Sequence, residues 1–270
     1  MAGFTVKEEE TQIRDSAGTD IRTFIARPDD GKKHPAVIVV HEIWGLENNI
    51  RSIARRLAGE GFVAYAPHLF SGEGDYMNPE TIEQAMRVFW TMPRDKMNDE
   101  KAVSEVMAKM SEDQKKVVQK IFYNRKEIEK KAVARLSDLI GVINRDPAVN
   151  PGHIGATGFC FGGGLVFQFS TQSDVKGTVV FYGANPDPVH AVENIKAPVL
   201  ALYGGEDRNI NNKIPELMEQ MVKFGKDFHM KIYRNAMHAF FNDTRPTYNK
   251  EAAADAWKLA IDFFRKNLGD

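Results

Sequence analysis

The chain has 270 residues, of which 43% are hydrophobic and 27% are charged, and its formal net charge is −1. This balance is typical of a globular protein, and it gives no global field that would attract nucleic acid or an anionic membrane. One cysteine excludes an intrachain disulfide, and neither a signal peptide nor a membrane-spanning run is found. We expect a cytoplasmic protein that is a monomer or a small homo-oligomer.

Short apolar runs alternate with helix-like segments along the chain. Two strands are predicted at residues 4–13 and 21–26, and the β-branched run at 36–40 is typical of a strand buried on both faces of a parallel sheet. Further strands are predicted at 62–66, 154–157, 177–182, 199–203 and 228–233, and helices at 48–61, 128–143, 165–170 and 252–267. The alternation predicts an α/β fold with a mainly parallel central sheet and helices on both faces.

Residues 71–126 break this alternation. They are rich in Met, Lys, Glu and Gln, carry no strand signal, and predict short helices at 79–91, 99–110 and 113–123. We interpret the segment as a helical insertion, or cap, within a single domain that spans residues 1–270. The insertion is expected to pack over the carboxyl edge of the sheet. A solvated helical excursion with no role is the alternative.

A thiol stands at the centre of a glycine-flanked turn. The segment Gly-Phe-Cys-Phe-Gly at 158–162 lies between a strand-like run and a helix-like run. This arrangement is typical of a nucleophile elbow, where glycines two residues either side of the nucleophile prevent collision across a sharp turn. The N-terminal end of the following helix would favour a thiolate. The alternative is that Cys160 is a buried apolar residue without chemistry.

An acid and a histidine follow later strands, in the order that a hydrolase elbow requires. The strand at 199–203 is followed by Gly-Gly-Glu-Asp, so Asp207 is the predicted orienting acid and Glu206 is its competitor. The last strand is followed by a loop that contains His238, the predicted general base. A nucleophile needs such a base, and the base needs an orienting group.

A further polar cluster, His-Glu-Ile-Trp-Gly at 41–45, follows the strand at 36–40. A zinc motif would need a second histidine where glycine stands, so we expect no metal. We interpret the cluster as an oxyanion loop, in which the backbone N–H groups of Ile43 and Phe161 stabilise a tetrahedral intermediate. Glu42 would then face Cys160 and hold its proton until substrate arrives. Alternatively, Glu42 is a structural strand-end glutamate.

These motifs together resemble the dienelactone hydrolase family (carboxymethylenebutenolidase-like) of α/β-hydrolases, over nearly the whole chain apart from the insertion. The matching motifs are His41-Glu42-Ile43-Trp44-Gly45, Gly158-x-Cys160-x-Gly162, Gly204-Gly205-Glu206-Asp207 and Met237-His238-Ala239-Phe240. The resemblance implies an α/β-hydrolase fold and a Cys160–His238–Asp207 triad, with Glu42 contacting the thiol. It also implies hydrolysis of a small ester or lactone through an acyl-thioenzyme, without metal or organic cofactor.

Two departures from the family pattern affect the expected substrate. Well-known members place an arginine four residues after the histidine to hold the substrate carboxylate, whereas this chain has Asn242 there and Arg245 beyond it. His68 stands where an aspartate is common. We therefore expect a small ester or lactone as substrate but not dienelactone itself.

The insertion is expected to roof a pocket above the thiol, and aromatic residues of the insertion and of the 41–45 cluster could contact a substrate there. The candidates are Trp44, Phe89, Trp90 and Tyr123, with a position in the core as the alternative for each.

Two other functions stay open on sequence grounds. A catalytically silent binding protein could keep the hydrolase scaffold, since fold alone does not grant activity. A thiol redox sensor is disfavoured, because the chain has no second cysteine to resolve an oxidised thiol.

Overall fold

The computed structural model describes residues 3–97 and 99–269. Its strands are β1 Val6–Arg14, β2 Asp20–Pro28, β3 His34–Val40, β4 Val63–Pro67, β5 Val149–Phe159, β6 Thr178–Phe181, β7 Val199–Gly204 and β8 Phe228–Tyr233. They form one sheet in the order β1-β2-β4-β3-β5-β6-β7-β8. β1 pairs antiparallel with β2, and β2 with β4, while the other neighbours are parallel. The carboxyl ends of the parallel strands therefore meet at one edge of the sheet.

Helices cover both faces of this sheet. They are α1 Asn48–Gly59, α2 Pro79–Phe89, α3 Glu100–Met107, α4 Glu112–Val118, α5 Arg125–Ile143, α6 Phe161–Ser170, α7 Arg208–Asn211, α8 Ile214–Lys223 and α9 Lys250–Leu268. Short 3-10 helices span Arg94–Lys96 and Val189–Asn194, and a π-helical turn spans Gln119–Tyr123. Among the described residues, no helix combines the length and apolar character that crossing a bilayer requires.

The sheet separates two apolar cores, and β3 contributes to both. Ile38 and Val40 point into the core under α2 to α6 and α8, whereas Val37 and Val39 point into the core under α1 and α9. This alternation follows from the two-residue period of a strand, and burial on both faces explains the unbroken β-branched run. The predicted α/β class with a mainly parallel sheet is confirmed.

Several boundaries and short helices differ from the sequence predictions. β5 begins at Val149 rather than at residue 154, and a register shift in β3 between His34 and Ala36 accommodates its turn-like start. No helix was predicted at α8, although Ile214, Leu217 and Met221 form a buried stripe at helical spacing. These local pieces carry weak signals, because glycine, proline and asparagine near them indicate turns.

The segment interpreted as an insertion folds into α2, α3, α4 and the π-helical turn, which we call the helical layer (residues 79–123). Side-chain caps begin its helices: Asn78 accepts a hydrogen bond from the Thr81 N–H, and Ser111 forms a capping box with Gln114. The buried face of the helical layer shares one apolar core with the sheet. Its buried members include Ile82, Met86, Phe89, Val106, Met110, Val117 and Ile121.

Candidate active site

Cys160 occupies the sharp turn between β5 and α6. Its φ of 54° and ψ of −114° are unusual for a residue with a side chain, and its N–H donates to the Phe181 carbonyl at 3.0 Å. A Cβ added to Gly158 would lie 2.0 Å from the Gly162 carbonyl oxygen. A Cβ on Gly162 would lie 2.4 Å from the carbonyl oxygens that end β3. The two glycines therefore permit both the turn and the close approach of α6 to β3.

His238 lies in the loop after β8. Two residues of this loop have left-handed backbone conformations, Asn235 (φ 62°) before it and Ala239 (φ 60°) after it. The Nδ1 of His238 hydrogen-bonds Asp207 Oδ2, and the Cys160 side chain lies close enough to raise the His238 pKa. Burial lowers the pKa of His238, but the Asp207 hydrogen bond and the neighbouring Cys160 outweigh it and raise the pKa to about 10. The imidazole thus links the thiol to a carboxylate.

Asp207 follows β7 and caps α7. Its Oδ1 accepts a hydrogen bond from the Ile210 N–H at 3.4 Å, which leaves Oδ2 for His238. Gly204 allows this approach, because a Cβ there would lie 2.5 Å from a carbonyl oxygen of the histidine loop. Glu206, the competing acid, is exposed, whereas the Asp207 side chain is only 4% exposed. The carboxylate that contacts the histidine is that of Asp207.

Glu42 lies at the end of β3 and is buried. Its Oε1 accepts a hydrogen bond from the Tyr182 hydroxyl at 3.2 Å, and its Oε2 accepts one from Asn242 Nδ2 at 2.8 Å. Burial raises the pKa of Glu42, and the Asn242 hydrogen bond and the His238 charge oppose that rise. The hydrogen bonds of the described residues include none between Glu42 and Cys160. Asn242, which stands where the resemblance predicts an arginine, thus turns inward to Glu42.

Tyr182 belongs to the site, although sequence reasoning missed it. It follows β6 directly, has a φ of 39°, and packs its ring 5.1 Å from that of His238 while its hydroxyl binds Glu42. The signal was its place at the carboxyl end of a parallel strand, the same edge that carries Cys160. A buried tyrosine after an apolar run was indistinguishable from a core residue.

Two backbone N–H groups without a backbone acceptor among the described residues, those of Ile43 and Phe161, lie in the segments that meet at the β3–α6 contact. Phe161 is the first residue of α6, so its N–H has no acceptor within the helix. Within residues 3–97 and 99–269, no backbone hydrogen bond uses the Ile43 N–H. The close contact of Gly162 with the end of β3 brings the two segments together. These are the two donors that the sequence analysis expects for an oxyanion hole.

An indole pair connects the site loop to the helical layer. Trp44 and Trp90 meet edge to face with ring centroids 5.4 Å apart, and Trp90 is 52% exposed. The Arg245 guanidinium lies 4.2 Å from the Trp44 ring and 3.4 Å from Glu47. Burial raises the pKa of Glu47 to about 7, against the opposing charge of Arg245. An aromatic surface with a cation beside it therefore adjoins the oxyanion loop.

The other two pocket candidates differ from this pair. Phe89 is only 1% exposed and packs 4.6 Å from Phe122 inside the helical layer, so it supports the layer from within. Tyr123 is 49% exposed at the end of the π-helical turn. Two residues later, the Arg125 guanidinium lies 5.4 Å from the Phe161 ring. Tyr123 is thus available at the surface, whereas Phe89 is not.

Two buried histidines belong to this region: His41 begins the oxyanion loop, and His68 lies beneath it. The rings of His41 and His68 are 5.8 Å apart, and burial lowers the pKa of His41 to about 4 and that of His68 to about 3. The Nε2 of His68 is buried without a hydrogen-bond partner and faces Gly45. Across the two described ranges, no three His, Cys, Asp or Glu side chains group as a metal site would require.

Comparison with known proteins gives a family for this arrangement. The model of the "Dienelactone hydrolase family" matches residues 21–268. A protein of Saccharolobus solfataricus named "Putative carboxymethylenebutenolidase" is 43% identical over 252 residues, which cover 93% of this chain and 96% of that protein. The match therefore extends from the second strand to the final helix and includes every site residue described above.

Solved structures agree with that result. The crystal structure of a "Putative Dienelactone Hydrolase" from Klebsiella pneumoniae has a TM-score of 0.75 at 25% identity and covers 97% of this chain and 99% of its own. A dienelactone hydrolase-like promiscuous phosphotriesterase from metagenomic libraries has a TM-score of 0.71 at 19% identity over 97% and 98% of the two chains, which supports the fold alone. The predicted fold and resemblance are confirmed: this chain is a hydrolase-fold protein that belongs to the dienelactone hydrolase family.

Proposed function

We propose that this protein hydrolyses carboxylic esters or lactones with Cys160 as nucleophile, His238 as general base and acid, and Asp207 as the orienting group. One observation carries the proposal: the His238 ring hydrogen-bonds Asp207 through Nδ1 and also lies close enough to Cys160 for that side chain to raise the His238 pKa. A nucleophile, a base and an orienter in hydrogen-bond sequence is the arrangement that activates a side chain for acyl transfer.

Acylation starts when the Cys160 proton moves to His238 Nε2, since Nδ1 is held by Asp207, and the raised pKa of His238 favours this transfer. The sulfur forms a bond to the substrate carbonyl carbon, and the carbonyl π electrons move to oxygen. The N–H groups of Ile43 and Phe161 donate to this oxyanion. Collapse breaks the carbon–oxygen bond, and the leaving alkoxide takes the proton from His238. An acyl-thioenzyme and an alcohol result; with a lactone, the alcohol stays attached to the acyl group.

Deacylation repeats these steps with water. His238 removes a proton from a water molecule, and the resulting hydroxide attacks the thioester carbon. The same two N–H groups receive the second oxyanion. Its collapse releases the carboxylic acid, and the proton on His238 returns to the Cys160 sulfur. The cycle needs no added cofactor, because the protons and electrons balance between water and ester.

Glu42 tunes the thiol in this proposal. The buried carboxyl reaches His238 through Tyr182, whose hydroxyl binds Glu42 and whose ring packs against the imidazole. A carboxylate at that place disfavours a thiolate while the site is empty, because like charges repel in a buried site. Trp44 and Trp90 supply an apolar surface beside the oxyanion loop, which suits a small ester or lactone with an apolar group.

The proposal is tested with a short activated ester, p-nitrophenyl acetate, and a simple enol-lactone. We expect Cys160→Ala and His238→Ala to lower kcat/KM by at least about 10³-fold, since these residues act as a unit. Intact-mass spectrometry of rapidly quenched wild type should find one acetyl group, and hydroxylamine should remove it. The peptide that carries the acetyl group should contain Cys160, the one cysteine of the chain.

A matched control separates the site from the surface. His229 is an exposed histidine on β8 that pairs with Asp227 at 2.9 Å, and His229→Ala should keep wild-type rates. If wild type turns over neither substrate faster than the two site variants, the hydrolase proposal fails. Binding without turnover would then favour the catalytically silent protein. An acetyl group on another residue would exclude Cys160 as nucleophile.

A further inference from the structure

The His41 side chain holds the backbone of the oxyanion loop. It is fully buried, its Nδ1 lies 2.6 Å from the Glu42 carbonyl oxygen, and its Nε2 lies 3.0 Å from the Leu69 nitrogen. The Leu69 N–H can only donate, so Nε2 must be the unprotonated acceptor. The proton is therefore on Nδ1 and is donated to the Glu42 carbonyl. Burial also keeps this ring neutral.

This carbonyl belongs to the peptide unit whose N–H is that of Ile43. In a trans peptide the C=O and N–H point in opposite directions. A donor that fixes the Glu42 carbonyl therefore also fixes where the Ile43 N–H points, away from His41. The Gly45 N–H donates to the same carbonyl at 3.3 Å, which closes the loop around it. The Ile43 N–H has no backbone acceptor among the described residues and stays available for a ligand.

The hydrogen bond also changes the strength of that donor. Hydrogen bonds to a peptide carbonyl polarise the unit, so its N–H becomes a better donor. The effect is larger in a buried, low-dielectric site than in water. His41 is surrounded by buried rings, with Phe70 at 4.9 Å and His68 at 5.8 Å. These contacts fix the ring plane, so the direction of its Nδ1–H is set in advance.

We propose that His41 is a positioning residue for the oxyanion hole: its Nδ1–H holds and polarises the Glu42–Ile43 peptide so that the Ile43 N–H meets the developing oxyanion. The inference rests on the proposed function, because it assigns the Ile43 N–H to the hole. It adds a role for a residue that touches neither the substrate nor the triad.

Two variants separate the Nδ1 contact from the Nε2 contact. His41→Phe and His41→Asn both remove the acceptor for the Leu69 N–H. Only asparagine keeps a donor near the position of Nδ1. We expect His41→Phe to lower kcat for p-nitrophenyl acetate by about 10- to 100-fold, part of the value of an oxyanion-hole donor, with KM nearly unchanged. His41→Asn should stay within about fivefold of wild type, because it keeps the donor.

The rate at which iodoacetamide alkylates Cys160 distinguishes a role of His41 in the oxyanion hole from a merely structural role. Alkylation needs the activated thiol but forms no oxyanion. We expect the alkylation rate of His41→Phe to match wild type within about twofold while its ester turnover falls. A parallel fall of both rates would overturn the proposal, because His41 would then support the triad or the fold. Equal losses in the two variants would also overturn it.

A wild-type measurement keeps the proposal testable if the variants fold poorly. Nitrogen NMR of protein labelled at histidine should find His41 protonated at Nδ1 and bare at Nε2. The opposite tautomer would overturn the proposal. Wild type and Cys160→Ala are assayed in parallel. Turnover that does not depend on Cys160 overturns the proposed function, whereas Cys160-dependent turnover that is intact in His41→Phe overturns this inference alone.

Discussion

The carboxyl edge of the sheet and the helical layer build their geometry in different ways. At the sheet edge, backbone packs on backbone, because a Cβ added to Gly158 would lie only 2.0 Å from the Gly162 carbonyl oxygen. In the helical layer, side chains pack on side chains, and exposed ion pairs such as Arg87–Glu83 at 3.2 Å decorate its surface. Surface pairs of this kind contribute little, about 0–1 kcal/mol. The edge is therefore fixed by sterics, whereas the layer is held by adjustable contacts.

This difference teaches where chemistry and selectivity reside. A triad and an oxyanion hole tolerate little displacement, and rigid strand ends supply that accuracy. The buried face of the helical layer contains Met86 and Met110, with Met92 close by in sequence. Methionine is flexible and fills irregular spaces, so such a layer can repack without unfolding. On the proposed function, the reaction takes place at the sheet edge, and we propose that the helical layer influences the choice of substrate.

The largest expected effect comes from Gly158→Ala. The new Cβ would collide with the Gly162 carbonyl, and backbone on both sides leaves no room to relax. We expect a loss of about 4 kcal/mol or more in unfolding free energy, measured by urea denaturation, or no soluble protein. Gly164→Ala is the control in α6, because its nearest atom would lie 3.5 Å from the new Cβ. A well-folded Gly158→Ala would contradict the steric account of the edge.

Asp207→Asn and Glu206→Gln test the edge at the level of chemistry. The asparagine cannot stabilise a protonated His238, so kcat should fall by about 10³-fold or more while the fold persists. Glu206 is exposed, and its glutamine variant should keep wild-type kcat. Steady-state ester kinetics and circular dichroism on the same samples measure both. Equal losses in the neighbouring variants would indicate a damaged loop rather than a lost orienting group.

His68→Phe tests how well the edge excludes water. The folded protein keeps His68 neutral down to about pH 3, its lowered pKa, whereas the unfolded chain takes up that proton below its ordinary pKa of 6.5. Acid therefore favours unfolding. Because of His68, the unfolding free energy of wild type should fall by roughly 3 kcal/mol when the pH is lowered from 7 to 4. Phenylalanine removes this pH-dependent contribution to the unfolding free energy, and it also removes the buried Nε2 atom that has no hydrogen-bond partner.

Urea denaturation of both proteins at the two pH values measures the difference. At pH 7 the variant should be as stable as wild type or more stable, since a buried polar atom without a partner is lost. At pH 4 the variant should be the more stable protein. The same acid sensitivity in both proteins would mean that water reaches His68 in the folded state.

The smallest expected effect belongs to Trp90→Ala in the helical layer. Trp90 is half exposed, and its edge-to-face contact with Trp44 contributes about 0.5–1.5 kcal/mol. We expect unchanged kcat for p-nitrophenyl acetate and a KM raised by about three- to tenfold for an aryl-acyl ester. Val222→Ala, at an exposed position on α8, is the control. A large loss of kcat on the small ester would move the layer into the catalytic machinery.

The sequence predicted the parts of the molecule that depend on short stretches of chain. The run Ala36-Val37-Ile38-Val39-Val40 became β3, because burial on both faces requires apolar residues at successive positions. The order of Cys160, Asp207 and His238 was readable for a similar reason. Parallel strands bring their carboxyl ends to one edge, so residues after successive strands converge there whatever their separation along the chain.

The rest depended on contacts that no local pattern encodes. Glu42 meets Tyr182 and Asn242 at separations of 140 and 200 residues. From the sequence alone, Asn242 therefore indicated a missing arginine, and its role as a hydrogen-bond donor to Glu42 could not be predicted. Phe89 was a pocket candidate because its helix has one strongly apolar face. Only the packing of that face against Phe122 assigns it to the interior.

The five residues after β3 carry consecutive tasks with no spacer between them. His41 holds a carbonyl, Glu42 binds a tyrosine and an asparagine, and Trp44 meets the helical layer. Gly45, at φ 82°, turns the chain above His68. Removing or adding one residue here would shift the register, so that each contact would be made by a neighbouring residue with the wrong side chain. An insertion or deletion in this loop should therefore disrupt the whole site, whereas the adjustable side-chain contacts of the helical layer should tolerate one more readily.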